Sequence, residues 1–427
     1  MKQLSSTRTK VAKNILTLYP LFPVLVYFSV LMGYPTLWLS LIIAIIPLGV
    51  YFWQTHRIVA RTPFDIPILI FICGTVIGFI ISPDKVVSTG ALSSTMASIL
   101  VYYGITTNSE ASRKYWLWTG GIICLITLLL SLWFLSQGSH RVLFFNQWVF
   151  NLFSRLPKTS GPVLQWNTIG ALLAVIIPPL FAFFFFKGYI SLRIIAVVLF
   201  LFLTGTLFLS DSGAGWLAFF ISLAFILACW RRWLIWVLAP SGGLLAGAAV
   251  IFYHKAQWLR TTFSTGSFLG RIKLWKNTLV LLKGKAYIMG LGLGAWHEIY
   301  SGHYGDPVPI VHNSYLQLYC DAGILGLVAM VLAAVIFVRL SINLLKAYQR
   351  NPVYWIGIGL IASIFAGAVF AIFDVTISVT YVTNTGYVYL VLPLLWIGVA
   401  LIVVVNTKVS STLISTKCQE TVESFLK

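Results

Sequence analysis

Residues 309–326 read PIVHNSYLQLYCDAGILG, so that His312 and Asn313 stand directly ahead of an apolar run which itself carries an acid, Asp321. Crossing a bilayer as a helix takes about twenty apolar residues at 1.5 Å each, and the run beginning at Ser314 supplies them. Runs of this kind recur along the chain, whose 427 residues are 59% hydrophobic and 9% charged, whereas soluble domains carry about 25% charged residues. The pattern predicts an all-α, polytopic integral membrane protein. Length and breaker residues place about twelve transmembrane helices near 15–32, 36–53, 64–82, 89–107, 115–135, 166–186, 193–210, 214–229, 233–253, 314–338, 354–373 and 386–405.

Charge gives the expected orientation. With both termini cytoplasmic, every inside segment is basic, from Lys2, Arg8, Lys10 and Lys13 at the start to Lys408, Lys417 and Lys427 at the end, as topogenic charges require. The net charge of +19 is therefore no sign of nucleic-acid binding, because the cations sit mostly in short loops between spans. The expected organisation is a basic N-terminus over 1–14, nine spans over 15–253 with an outer loop at 136–165, a large extracytoplasmic loop over 254–313 with short amphipathic helices, three spans over 314–405, and a polar tail over 406–427. Cys73, Cys124, Cys229, Cys320 and Cys418 fall in spans or the tail without a C-x-x-C pair, which points to neither outer disulfides nor a metal site.

The two outer loops break the charge rule. The first carries Arg141, Arg155 and Lys158 without an acid, and the second carries seven Lys and Arg residues against Glu298 and Asp306. Anionic lipid headgroups are one sink for that charge, and a phosphate or pyrophosphate ligand held by arginine forks is another. In SFLGRIKLWKNTLVLL (267–282), Phe268, Ile272, Trp275, Leu279 and Leu282 form an apolar stripe at 100° per residue. Lys273 falls well off that stripe, while Arg271 lies about 60° from its centre, facing protein or the lipid boundary, where a charge needs an anion.

His312 reads in two ways, as a polar residue opening a helix whose N-cap is Asn313 or Ser314, or as a proton-handling group beside an anion at that helix N-terminus. Asp321, nine residues on, is about 13.5 Å along the helix and on its opposite side, so it cannot directly orient His312; it suits a functional site or a bond that fixes packing. Asp211 and Asp374 fall at span ends and suit the interface. With ten acids, no H-E-x-x-H and no D-x-D, no metal or other cofactor is expected, and GLGLGAW (290–296) reads as a tight turn or close packing.

GRIKLWKNTLVLLKGKAYIMGLGLGAW followed by HNSYLQLYCDAGILGLV resembles the signature half of the bacterial O-antigen ligase and O-antigen polymerase family, and SGPVLQWNTIGALLAVIIPP (160–179) is similar to its Pro/Asn segment. The resemblance covers about 140 to 330. It implies glycan transfer at the outer face of the bacterial plasma membrane, from an undecaprenyl-pyrophosphate-linked glycan to a lipid or glycan hydroxyl acceptor, without metal or nucleotide sugar. His312 would then activate the acceptor and Arg271 neutralise the leaving pyrophosphate, with Arg155, Arg141, Lys276, Asn313 and Tyr315 binding pyrophosphate or glycan and Asp321 and Asn167 in supporting roles. The family's S-R-x-x-W element departs here to LSDSGAGWLAF, with Gly213 at the arginine position. Either Arg155 or Arg141 from the other basic outer loop supplies that charge, or the substrate or activity differs. A polymerase on the same carrier uses the same motifs, and a transporter or flippase is the reading of another class.

Overall fold

The computed structural model describes residues 22, 23, 25, 37–107, 113–136, 166–186, 190–210, 212–234, 236, 268–306, 308, 310–347, 353–374 and 394–406. Within them the chain forms α1 (Leu37–Thr55), α2 (Asp65–Ile81), α3 (Lys85–Thr107), α4 (Arg113–Ser136), α5 (Trp166–Ala182, ending in a 3-10 turn), α6 (Ile190–Leu209), α7 (Gly213–Trp230), α8 (Phe268–Leu281), α9 (Ala286–Met289), α10 (Trp296–Tyr304), α11 (Ser314–Ala347), α12 (Val353–Phe373) and α13 (Leu394–Asn406). Among the described residues no strand occurs, as the composition predicts. Among the described residues, seven helical stretches are long and apolar enough to span a membrane, and those of α1, α2 and α13 are apolar but shorter. The expected spans 15–32 and 233–253 lie almost wholly outside the described residues.

Two boundaries differ from expectation for visible reasons. The third helix begins at Lys85 rather than 89 because the Asp84 carboxylate accepts from the Val86 and Val87 N–H groups at 2.9 and 3.0 Å, which satisfies two of the four orphan donors of a helix start. The tenth expected span continues to Ala347, nine residues past its expected end. It also bends. Gly323 has φ 61° and ψ −155° inside α11, a conformation open essentially to glycine.

Packing follows the small residues. α2 runs along α11, and α12 lies against α5 and α7. Gly74 and Gly78, spaced G-x-x-x-G on α2, meet Ala322 and Asp321 of α11, and a Cβ at Gly78 would collide with the Asp321 carbonyl oxygen. Such spacing lets two membrane helices approach backbone to backbone. At the centre, α5 buries Ile169, Leu172, Leu173, Ala174 and Ile177 completely, so it is surrounded by protein rather than lipid.

Candidate active site at the start of the tenth expected span

Asn313 caps α11, its side-chain oxygen accepting from the Leu316 N–H at 2.9 Å. His312 precedes the cap at φ 52°, the left-handed region that few non-glycine residues enter, and this turn directs the chain from the loop into the helix. From here three consecutive side chains grip the end of α12. Asn313 Nδ2 donates to the Ile372 carbonyl at 3.0 Å, Ser314 Oγ to that of Asp374 at 2.9 Å, and Tyr315 Oη to that of Ala368 at 2.7 Å. Of these acceptors, the Ile372 carbonyl is one that a helix C-terminus leaves without an intrahelical partner. Asn313 and Tyr315, expected at the substrate, join two helices through these bonds.

The same joint brings a carboxylate to the histidine. Asp374 Oδ1 lies 3.4 Å from His312 Nδ1, with the histidine 26% and the aspartate 6% exposed. That separation exceeds a formed hydrogen bond, and such contacts often tighten only when substrate binds. A carboxylate beside Nδ1 favours the tautomer with its proton there, leaving the Nε2 lone pair as a base. Asp374, placed at the interface by the sequence reading, is the site residue that reading missed.

Asp321 does other work. It is buried, and its Oδ1 accepts from the Gly294 N–H at 3.1 Å and from Gln317 Nε2 at 3.0 Å. The bend at Gly323 frees the Cys320 carbonyl, which accepts from Leu291 and Gly292 at 2.7 and 3.3 Å, while Leu293 N–H donates to the Gly78 carbonyl at 2.9 Å. Gly290, at φ 82°, has no room for a Cβ, which would meet Cys320 and Tyr319 carbonyl oxygens. The glycine run is therefore a backbone splice between α2 and α11, as close packing predicts, and Asp321 is one of its fastenings.

Arg271 sits on α8, which docks next to His312. Trp275, one turn after Arg271, donates its indole N–H to the carbonyl of Val311 at 3.0 Å. α8 is stapled to α10 as well, through Trp296 Nε1 to Thr278 Oγ1 at 3.1 Å and Asn277 Nδ2 to Tyr300 Oη at 3.2 Å. The buried face of α8 is rotated from the expected stripe. Leu274, Thr278 and Leu282 are buried, whereas Leu279 is 54% exposed. Arg271, partly buried, falls within about 30° of the centre of this face at 100° per residue. Lys273 is exposed as expected, and Lys276 is exposed on the opposite side of the helix from Arg271.

Asn167 Oδ1 accepts from Ser212 Oγ at 3.2 Å, and Ser212 Oγ also accepts from the Gly215 N–H at the start of α7. That arrangement is a helix-to-helix tie. A Cβ at Gly213 would meet nothing within 4 Å, so the position itself is open. Arg141 and Arg155 lie outside the described residues.

Residues 197–331 match the family model described as O-antigen ligase. The chain carries an O-antigen ligase domain. No curated protein matches the chain. The O-antigen ligase domain takes in Arg271, His312 and Asp321 and stops short of Asp374. Over that stretch, about a third of the chain, the sequence is similar to O-antigen ligases, and the long apolar helices around it suit a multi-pass membrane protein.

Proposed function

We propose that this chain transfers a saccharide from an undecaprenyl-pyrophosphate carrier to a hydroxyl acceptor at the outer face of the plasma membrane, without a metal ion, in the manner of an O-antigen ligase. The observation that carries this reading is the His312–Asp374 pair at 3.4 Å, set beside the helix that bears Arg271. The acceptor hydroxyl gives its proton to His312 Nε2 as its oxygen bonds to the anomeric carbon. The bond from that carbon to the carrier's pyrophosphate breaks, and the electron pair leaves with the pyrophosphate. Arg271 neutralises the charge that appears there. Asp374 stabilises the imidazolium until the proton is released.

The test is turnover of an undecaprenyl-pyrophosphate-linked glycan by purified protein in nanodiscs, without added metal. Wild type is expected to consume donor and His312→Asn is expected to leave it intact; asparagine suits the left-handed backbone at this position. Equal turnover by the two proteins would overturn the reading. Product size separates its two forms, because a ligase caps an acceptor once and a polymerase yields a ladder on the carrier.

A further inference from the structure

The exposed apolar residues of α11 begin at Ile324 and recur as Val328, Val331, Leu332, Val335, Val338 and Ile342. From Ile324 to Ile342 is about 27 Å at 1.5 Å per residue, close to the roughly 30 Å hydrocarbon thickness of a bilayer. The first turns of α11 are different, since Ser314, Gln317, Leu318, Cys320, Asp321 and Ala322 are all buried in protein. The exposed apolar stripe therefore starts near Gly323, roughly 15 Å along the axis from the His312 end.

The short helix α9 is held at that level. Ile288 and Met289 lie against Gly323 so closely that a Cβ there would strike the Ile288 carbonyl oxygen. Tyr319 Oη donates to the Tyr287 carbonyl at 2.7 Å. Held in this way, α9 turns its side chains outward, with Tyr287 60%, Ile288 62% and Met289 46% exposed. They continue the apolar stripe of α11 and approach that of α2, whose Ile80 is exposed too. Lys283 and Lys285, which lead into α9, are exposed, as are Lys273 and Lys276 of α8, and residues 268–297 contain no acid.

We propose that Lys283–Met289 is a preformed membrane wedge. Tyr287, Ile288 and Met289 enter the hydrocarbon edge at the His312 end of the bundle, and the surrounding lysines bind phosphates of anionic phospholipids. Tyrosine favours the boundary between headgroups and hydrocarbon, and lysine keeps its ammonium among headgroups while its stem lies on apolar surface. A four-residue helix has little stability of its own in water, and the close fit of Gly290 and Gly323 supplies the rigidity that lets it serve. The wedge stands independently of the glycan-transfer reading.

Photo-crosslinking of the full-length protein in nanodiscs of phosphatidylcholine with a minority of phosphatidylglycerol tests it. Benzoylphenylalanine is introduced in place of Ile288, and in place of the exposed His303 of α10 as a reference. Mass spectrometry of the adducts is expected to show phospholipid at 288 at least about tenfold above 303. Phosphatidylglycerol should be enriched over its mole fraction, and Lys283→Glu with Lys285→Glu should reduce that enrichment about fivefold. Adducts to a second protein chain at 288, equal lipid labelling at both positions, or enrichment unchanged by the lysine changes would each overturn the proposal. No donor glycan is needed, so this result and the turnover result fail separately.

Discussion

Two carboxylates on the same side of the bundle have opposite surroundings. Asp321 is buried and spends its Oδ1 on a backbone N–H and a glutamine amide, so it joins helices. Asp374 is nearly as buried, yet it faces a histidine that is a quarter exposed. What differs is access. A group that fastens can be sealed, whereas a group that assists proton transfer must stand behind another that substrate can reach.

The largest effect should come at the accessible end. His312→Asn is expected to lower turnover by about 10² to 10⁴-fold, with the thermal midpoint within a few degrees of wild type. Asp321→Ala should do the reverse. Loss of two charge-assisted bonds costs about 3–5 kcal/mol of stability, read as a lower melting midpoint, while activity per folded molecule stays within about threefold of wild type. A Asp321→Ala protein that melts normally and is inactive would erase the distinction between the two acids. Arg271→Gln should cost about 10² to 10³-fold in turnover through the lost anion partner. Asp374→Asn should cost about 10²-fold by withdrawing support from the imidazolium, and its clamp to Ser314 should persist because that bond uses the main chain. Lys276→Gln, on the far side of α8, should change turnover by less than about twofold; a large loss there would move the anion site to the outer face of the helix.

Much of this arrangement could be read from local pattern. The cap at Asn313, the helix starting at Ser314 and the structural use of the glycine run all follow from residues adjacent in sequence. The pairing of His312 with Asp374 does not, since its partners come from opposite sides of a two-helix excursion and no spacing rule connects them. The tilt of α8 was hidden for another reason. Hydrophobicity ranks Leu279 as core and Thr278 as surface, but Thr278 is buried with its hydroxyl bonded to the Leu274 carbonyl and to Trp296, and Leu279 faces outward. A signal was present for the α2–α11 contact, in the glycines at 74 and 78, since four-residue spacing of small residues marks close helix pairs in membranes.

The clamp from Asn313, Ser314 and Tyr315 onto the last turn of α12 carries a consequence for biosynthesis. Its far half, Asp374, is translated 60 residues after Ser314. Until that stretch leaves the ribosome and α12 enters the membrane beside α11, His312 has no carboxylate behind it and the helix end has no grip. The nascent chain thus enters the bilayer without this pair, and the contact between His312 and Asp374 is completed only as α11 and α12 dock.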